Sequence, residues 1–425
     1  MSESNQAFQA AKRETQQELT HRYDRFRQEN LQLDMTRGKP GPEQLDLSME
    51  MLHILGPQDY RASNGLDCRN YGSLDGLPEM KAIFADFLGA SPSEVLIGGN
   101  ASLSLMHDTV VNAMLHGVPG SKKPWSKEEK VRFLCPVPGY DRHFNICQHL
   151  GIEMINIEMT DEGPDMDAVE AWVSGDATVK GIWCVPRYSN PTGVTFSEQV
   201  VRRLAVMPAA AEDFRIMWDN AYAVHHLTDT PRPLANILQA CKEAGHPNRV
   251  FMYGSTSKIT FAGAGVSAMA GSEENIAWML THRFMQTIGP DKLNQLRHVR
   301  FFGDMEGIRS HMKKHAAILK PKFRAVDEIL NRELNGLELA GWTRPEGGYF
   351  ISLNTAEGCA KRVVELAAKA GVKLTAAGAT FPYRNDPRDR NIRIAPSLPS
   401  LPELKKATEV LAVCIKLAAK EANIY

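Results

Sequence analysis

The sequence predicts an α/β protein in which a mostly parallel sheet of seven strands is covered by helices and accompanied by a smaller α+β domain. Three observations predict this class. Seven short apolar runs of strand length recur between residues 95 and 272, most of the gaps between them have helical patterns, and the pattern turns almost wholly helical from 273 to 332. Strands that are apolar throughout indicate a sheet buried on both faces.

The predicted strands are VLIGG (95–99), VRFLCP (131–136), IEMINIEM (152–159), VKGIWCVP (179–186), FRIMWDN (214–220), VFMYGS (250–255) and VSAMAGS (266–272). Helical patterns such as LSLMHDTVVNAML and SEQVVRRLAVM separate most of them. In open α/β sheets, ligands bind beyond the carboxyl ends of the strands, so functional residues are expected just after these runs.

The chain is predicted to divide into three segments. Residues 1–50 contain the charged pattern of an exposed amphipathic helix over 4–30 and then the Gly/Pro-punctuated string TRGKPGPEQLDLS, and we expect them to pack with the small domain. Residues 51–310 form the large domain. Residues 311–425 form the small domain, where PEGGYFISLN precedes short strands and helices over 357–370 and 400–420.

Composition favours a soluble, cytoplasmic protein that binds neither nucleic acid nor membrane. The 49 Lys and Arg nearly balance 50 Asp and Glu, so no strong overall field attracts polyanions. Seven cysteines, an odd number without a CxxC pair, argue against a disulfide framework and indicate reduced thiols. The polar N-terminus is unlike a signal peptide, and nowhere do eighteen apolar residues run uninterrupted.

A lysine follows one apolar strand in YGSTSKITFAGAG, where Lys258 is surrounded by Ser, Thr and Gly. Burial would lower its pKa and leave a neutral amine able to attack an aldehyde, while Ser255 and Ser257 could donate to a phosphate. The alternatives are a solvated loop lysine and the S-x-x-K acyl-enzyme arrangement. The second lacks its companion S-D-N and K-T-G strings.

An acid and a phenol follow another apolar strand, as Asp219 and Tyr222 in D-N-A-Y. In a cofactor site, the carboxylate could keep a pyridine nitrogen protonated and the phenol could hydrogen-bond a phenolate oxygen. Helix capping is the alternative role for Asp219.

Three further strand ends carry candidate ligands of the same kind of cofactor. Asn190 opens the tight turn N-P-T-G, and Tyr140 follows a Pro-Gly turn, where its ring could stack on a planar group or pack in the core. The string GGNASLSLM leads through Asn100, Ala101 and Ser102 into a helix whose N-terminus suits a phosphate.

Late in the chain, RNIRIAPSLPS places Arg393 in a short, alternating strand. A half-buried guanidinium needs an anionic partner, which is either a substrate carboxylate or an internal acid. His311 and His315 at helical spacing, and the pair His225–His226, could suggest a metal. No cluster of acids or cysteines supports one, so core or solvated histidines are expected instead and no metal site is predicted.

Taken in order, these motifs resemble the fold-type I, class I aminotransferases, which depend on pyridoxal 5′-phosphate. The resemblance extends from about Gly38, in G-x-P, to Ser397. It includes a tyrosine motif, the Gly-rich loop, an aromatic residue, N-P-T-G, D-x-A-Y, S-x-S-K and the late Arg. The long GYDRHF and GSTSKITFAGAG forms resemble a divergent bacterial subgroup that contains aspartate aminotransferases.

The resemblance implies a role for each matching residue. Lys258 would form the Schiff base and then move the proton, and Asp219 would pair with the pyridine nitrogen. Arg393 and the backbone of Gly38 would bind the substrate carboxylate, and Tyr71 would reach the phosphate of a neighbouring subunit in an obligate homodimer with shared active sites. The remaining cofactor contacts would come from Tyr222, Asn190, Tyr140, Ser255 and residues 100–102.

One position departs from the family pattern. Class I members usually have an Arg eight positions after the lysine to neutralise the phosphate, whereas this chain has Val266. Either another donor replaces that Arg or the cofactor binds less tightly.

The resemblance implies ping-pong transamination between an L-amino acid and a 2-oxo acid, with L-aspartate and 2-oxoglutarate as the leading pair. A dicarboxylic substrate needs a second cation, and the candidates are Arg37, Lys39, Arg297 and Arg300. An aromatic or broad-range aminotransferase, such as one acting on kynurenine, is the nearest alternative. A β-lyase or decarboxylase with the same cofactor is a further one. The net charge and the short segment before Arg37 argue against a DNA-binding regulator.

Overall fold

The computed structural model describes residues 14–425. The first part of the helix predicted over 4–30 therefore lies outside the described residues, and the helix observed there is α1, Gln16–Gln28. Thr15 and Glu18 cap its start reciprocally, the side chain of each accepting from the backbone N–H of the other. Leu19, Tyr23 and Phe26 form its buried stripe, so this helix packs on the protein rather than standing in solvent.

Twelve further α-helices and thirteen strands occur among the described residues. The helices are α2 (Pro42–Asp46), α3 (Pro78–Leu88), α4 (Ser102–His116), α5 (Asp141–His149), α6 (Met166–Gly175), α7 (Glu198–Val206), α8 (Ile237–Glu243), α9 (Glu273–Gln286), α10 (Lys292–Phe302), α11 (Met305–Leu334), α12 (Ala360–Lys369) and α13 (Leu401–Glu421). The strands are β1 (Leu33–Asp34), β2 (Val95–Ile97), β3 (Arg132–Val137), β4 (Glu153–Thr160), β5 (Gly163–Pro164), β6 (Val179–Cys184), β7 (Arg215–Asp219), β8 (Val250–Ser255), β9 (Ser267–Ala270), β10 (Ala340–Trp342), β11 (Ile351–Thr355), β12 (Val372–Lys373) and β13 (Asn391–Ile394).

The main sheet has eight strands in the order β2-β9-β8-β7-β6-β3-β4-β5. Strands β8, β7, β6, β3 and β4 run parallel to one another, whereas β9 is antiparallel to both β8 and β2. Every residue of β6, β7 and β8 is buried, as expected for strands that read as continuous apolar runs. The prediction of an α/β fold with a mostly parallel sheet is confirmed.

All seven predicted strands are present, but the number seven was wrong. The eighth strand, β5, consists of Gly163 and Pro164 alone and pairs antiparallel with β4 at the edge of the sheet. Two residues cannot show a periodic pattern, so the sequence did not predict this strand.

A second core is formed by both ends of the described chain. Leu19, Tyr23, Phe26, Leu33 and Met35 pack with residues of α11, α12 and α13. Around them lie a three-stranded antiparallel sheet, β10-β11-β13, and the parallel pair β1-β12. This packing supports the predicted association of the N-terminal segment with a small domain. The predicted boundaries stay predictions, and α11 spans the one at residue 310.

Four charged side chains fasten α1 to this core. The buried Lys416 ammonium lies 2.6 Å from Glu14 and 3.0 Å from Glu333, and Arg22 pairs with the same two carboxylates. Because the carboxylates and cations alternate, each buried charge has at least two opposite neighbours.

Candidate active site

The residues proposed from sequence gather at the carboxyl edge of the main sheet. Asp219 is the last residue of β7, and Lys258 lies in the turn that follows β8. Asn190 comes after β6, Tyr140 follows β3 as the N-cap of α5, and Asn100 lies between β2 and α4. Parallel strands therefore deliver side chains from distant parts of the chain to one site.

Asp219 is a buried carboxylate with one oxygen satisfied and one not. Its Oδ2 lies 3.0 Å from Nε2 of His143, whereas Oδ1 is buried without a hydrogen-bond partner among the described residues. A buried charged oxygen left unpaired is costly, so the geometry calls for a donor from a bound molecule. Asp219 ends a strand and caps no helix, which removes the capping alternative.

His143 was missed by sequence reasoning. It lies on α5, its ring stacks on Trp183 at 4.3 Å between centroids and 9° between planes, and it is almost fully buried. Its position in GYDRHF, three residues after Tyr140, was the available signal. The stacking fixes the ring so that its nitrogen meets Asp219.

Neighbouring side chains contact the backbone carbonyl of Lys258, and protein surrounds its amine. The carbonyl of Lys258 accepts a hydrogen bond from Tyr349 Oη and lies 3.2 Å from His225 Nε2. The residue as a whole is partly exposed, but its Nζ lies 4.9 Å from the centroid of the Tyr222 ring and is surrounded by protein. Burial lowers the pKa of the amine, and the negative charge of Asp219 opposes that decrease. A lowered pKa leaves more of the amine neutral and nucleophilic.

A buried polar network lies behind the lysine. Gln44 Nε2 donates to Tyr349 Oη and lies 2.9 Å from His315 Nδ1. His311 Nε2 lies 3.1 Å from His315 Nε2 and 2.9 Å from the carbonyl of Ile259. Burial lowers the pKa of His315 to about 4, and the nearby His311 adds to the effect. These histidines support the lysine turn from inside the core.

Two phenols, the half-buried Tyr140 and the buried Tyr222, flank the same space. Burial raises the pKa of Tyr140 to about 12, with added contributions from the charges of Asp219 and Asp141. Burial also raises the pKa of Tyr222 well above its usual range. Both phenols therefore remain protonated donors at neutral pH, and the Tyr140 ring packs edge-on against His143 at 4.9 Å.

The two loops proposed to hold a phosphate are joined to each other. Ser257 Oγ donates to the carbonyl of Asn100, and the Gly265 N–H donates to the side chain of Asn100. Ser255 Oγ lies 3.2 Å from Ser257 Oγ. Ala101 is the N-cap of α4 and offers no capping side chain, so the first N–H groups of a fifteen-residue helix point into this region.

Val266 occupies the place where the family pattern has an Arg. Its side chain is 2% exposed within the core, and its N–H donates to Thr256 Oγ1. Nothing at this position can neutralise a phosphate, which agrees with the departure noted in the sequence.

Arg393 lies in β13, which faces the carboxyl edge of the main sheet from the second core. Its Nη1 lies 2.9 Å from Asp141 Oδ1 and 3.3 Å from Asn190 Oδ1, and its guanidinium lies 4.9 Å from the centre of the Phe350 ring. All four residues of β13 are buried, so the expected alternation of exposure is wrong. The polar side chain of Arg393 is accommodated by these partners instead of by solvent.

Gly38 packs against the ring that lies under Arg393. A Cβ atom at position 38 would sit 2.3 Å from Phe350 Cζ. Only glycine allows this close approach. The G-x-P turn is thus linked to Arg393 through Phe350, which sequence reasoning did not single out.

The remaining residues proposed from sequence differ in solvent exposure and in whether another side chain already binds them. Tyr71 is 78% exposed on this chain. Arg300 forms a bidentate pair with Asp59, and Arg297 donates to Asn294, while Arg37 and Lys39 are exposed beside Gly38.

The family described as aspartate amino-transferase matches residues 7–425 of this chain. The chain belongs to the aspartate aminotransferase family. It is a pyridoxal-phosphate-dependent aminotransferase. An aspartate aminotransferase of Corynebacterium glutamicum is 50% identical to it over 405 residues, which are 95% of this chain and 94% of that protein.

Solved structures show the same likeness. The crystal structure of an aspartate transaminase from Corynebacterium glutamicum superimposes on this aminotransferase with a TM-score of 0.93, at 49% identity over 99% of this chain and 97% of that one. An α-aminoadipate aminotransferase from Thermus thermophilus, complexed with N-(5′-phosphopyridoxyl)-L-leucine, has a TM-score of 0.76 at 20% identity over 94% and 95% of the two chains. That second likeness shows the fold alone.

The residues present fit the family cofactor, pyridoxal phosphate. The unpaired Oδ1 of Asp219 suits a protonated ring nitrogen, the enclosed amine of Lys258 suits imine formation, and the uncapped α4 suits a phosphate. None of the helices between residues 14 and 425 combines the length and apolar composition that a membrane span needs.

Proposed function

We propose that this aminotransferase binds pyridoxal 5′-phosphate through Lys258 and exchanges amino groups between L-aspartate and 2-oxoglutarate, giving oxaloacetate and L-glutamate. The single observation that carries the cofactor assignment is the unpaired, buried Oδ1 of Asp219, because a cationic ring nitrogen is the donor that it lacks. The amino-acid pair is supported by the aspartate aminotransferase of Corynebacterium glutamicum, which is 50% identical.

Each residue of the site has a proposed task. When bound, pyridoxal phosphate supplies an electron-poor ring that stabilises negative charge at the substrate Cα. Asp219 keeps the ring nitrogen protonated, and His143 holds Asp219 in place. Asn190 directs its Oδ1 to Arg393, which leaves its amide N–H groups to donate to the cofactor's phenolate oxygen together with Tyr222.

The phosphate is proposed to lie between the two joined loops. Its donors are Ser255, Ser257 and the backbone of residues 100–102 at the start of α4. Tyr140 would cover the ring. Because Val266 adds no charge, backbone N–H groups and hydroxyl groups provide most of the phosphate contacts that come from this chain.

Lys258 acts twice. Its neutral amine would hold the cofactor when it is bound, and once freed the same amine would carry the proton at the substrate Cα. Its lowered pKa favours both steps, since a protonated amine can neither attack nor accept a proton. His225 and Tyr349 both contact the backbone carbonyl of Lys258, so the turn that carries the lysine is held in place.

Arg393 is proposed to bind the substrate α-carboxylate, assisted by the backbone at Gly38. For the side-chain carboxylate of aspartate, Arg37 and Lys39 are favoured over Arg300, whose guanidinium is already paired with Asp59. Both are exposed next to Gly38, so an anion could reach them without breaking an internal pair.

A homodimer with shared active sites is proposed from the exposed apolar side chains of this chain. Tyr71, Phe284, Met285 and Ile288 are 60% to 81% exposed, an arrangement typical of a covered surface. Sedimentation velocity of the holoenzyme should give twice the chain mass. A cytoplasmic location is supported by seven cysteines that are all free.

The decisive experiment is an absorption spectrum of the protein supplied with pyridoxal phosphate and desalted. A visible band that disappears with L-aspartate and returns with 2-oxoglutarate supports both half-reactions. A band that responds to phenylalanine or kynurenine and not to aspartate favours the aromatic alternative, and release of ammonia or carbon dioxide favours a lyase or decarboxylase. Absence of any band contradicts the assignment of Lys258.

A further inference from the structure

The guanidinium proposed to bind the substrate is already paired with a carboxylate of its own chain. Arg393 Nη1 lies 2.9 Å from Asp141 Oδ1, and the two residues are 252 positions apart in the sequence. The Arg393 side chain is 8% exposed, whereas that of Asp141 is 32% exposed. Asp141 is therefore the more solvent-accessible partner of the pair.

No other ion pair of Arg393 occurs within residues 14–425. Its second hydrogen-bond acceptor, Asn190 Oδ1 at 3.3 Å, is neutral, and Phe350 contributes only a ring face at 4.9 Å. Arg393 Nε is buried and has no hydrogen-bond partner among the described residues. A buried guanidinium needs an anion, and Asp141 is the one this chain provides.

A substrate carboxylate would meet this existing pair. One guanidinium can hold two carboxylates only if the two negative charges lie a few ångströms apart, which repels them in a partly buried site. The incoming carboxylate must therefore displace Asp141 from Nη1 or bind beside its charge, and either route weakens binding.

We propose that Asp141 is an internal competitor for Arg393, occupying the guanidinium in the absence of substrate and thereby setting the affinity for carboxylate substrates. The inference rests on the proposed function of Arg393. Because amino acids and 2-oxo acids share the α-carboxylate, Asp141 weakens both to the same extent. It is an affinity-determining residue that leaves the proton transfer at Lys258 unchanged.

A purely supporting role for Asp141 predicts the opposite result. If the carboxylate only orients Arg393 for substrate, its removal loosens the guanidinium and weakens binding. If it only stabilises the start of α5, as an acid in the first turn, its removal changes stability and not ligand affinity. The direction of the affinity change separates the three roles.

The test is calorimetric titration of succinate, an unreactive dicarboxylate, into the holoenzyme in chloride-free buffer. Asp141→Asn keeps the size and an acceptor oxygen but removes the charge, so we expect succinate to bind about tenfold tighter or more. Asp141→Ala should shift the affinity in the same direction. Steady-state kinetics should show KM reduced by one factor for both substrates, with kcat unchanged.

Glu158→Gln is the matched control. Glu158 pairs with Arg388 and lies on β4 of the main sheet, and its removal changes the net charge equally without touching Arg393. We expect its succinate affinity to equal that of the unmodified protein. An equal increase in both variants would reveal a general charge effect and overturn the proposal.

Unchanged or weaker succinate binding in Asp141→Asn would also overturn it, as would the lack of succinate binding to any of the proteins. These failures are distinct from failure of the proposed function. If the visible band forms and responds to aspartate while Asp141→Asn binds succinate normally, transamination stands and only the competitor role is lost.

Discussion

Gly38 and Phe350 approach so closely that a Cβ atom on the glycine would lie 2.3 Å from the ring Cζ. Gly38→Ala should therefore push Phe350 toward Arg393 and disturb carboxylate binding. We expect an increase in KM for both substrates and a loss of about 1–3 kcal/mol in the free energy of unfolding. Gly56→Ala is the control, since no atom lies within 4 Å of a Cβ there. Equal kinetics in the two variants would contradict this contact.

Asp219→Asn should leave a folded protein that transaminates at least about a hundredfold more slowly. The amide keeps the size of the carboxylate but cannot stabilise a protonated ring nitrogen. The measurement is the single-turnover rate with L-aspartate, followed by the visible band. His143→Asn should have a smaller effect, because Asp219 retains its charge. An Asp219→Asn rate near that of the unmodified protein would remove Asp219 from its role.

Lys258→Ala should fold but lose multiple-turnover transamination, because the capturing amine and the proton carrier disappear together. Treatment with borohydride should leave pyridoxal phosphate attached to the unmodified protein after denaturation and not to the variant, as read by mass spectrometry. Lys406→Ala, at an exposed ion pair with Glu29, serves as the control. Retained turnover in Lys258→Ala would refute the assignment.

Arg393→Lys should raise KM for the amino acid and the 2-oxo acid by about tenfold to a hundredfold. An ammonium cannot reproduce the two parallel hydrogen bonds of a guanidinium and cannot lie flat on Phe350. Arg388→Lys, whose partner Glu158 is exposed, should leave both values unchanged. Unaltered kinetics in Arg393→Lys would show that another residue holds the carboxylate.

Buried histidines make the stability depend on pH. Burial lowers the pKa of His298 and of His315 from the ordinary histidine value of 6.5 to about 4 in the folded protein. The contribution of these two histidines to the free energy of unfolding is therefore fully present above pH 6.5. It is lost as the pH falls from 6.5 toward 4, because in that interval the two side chains are protonated in the unfolded chain and not in the folded one. Each group should contribute on the order of 3 kcal/mol over that interval.

Urea unfolding at several pH values within that interval measures the effect. His298→Gln should lower stability at neutral pH, because His298 bonds the carbonyl of Asn294 and lies 3.0 Å from two threonine hydroxyls, but it should flatten the pH dependence. If the free energy of unfolding of His298→Gln changed with pH as steeply as that of the unmodified protein, His298 would be protonated equally in the folded and unfolded states.

Local pattern was enough to predict most of the sheet and the strand ends. β6, β7 and β8 are buried at every position and mostly apolar in sequence. Asp219 ends β7 and Lys258 lies in the turn that follows β8. Short strands such as β5 were not predicted, because two residues are too few to show a periodic pattern of apolar residues.

The partners of the site residues could not be predicted in the same way. His143 and Asp219 are 76 positions apart, and Asp141 and Arg393 are 252 apart. Such pairs depend on how α5 and β13 are placed in space, which no local pattern encodes. Sequence therefore indicated that Arg393 needs an anion but left open whether that anion is a substrate or an internal acid.

The second core has a consequence for synthesis of the chain. Lys416 and Glu14 are in contact across 402 positions, and α13 supplies much of the apolar surface that covers α1. A ribosome therefore releases α1 long before its partner exists, so Leu19, Tyr23 and Phe26 remain uncovered while the main sheet is made. Completion of this core therefore waits for synthesis of α13, and the apolar stripe of α1 remains open to unwanted contacts in the nascent chain until then.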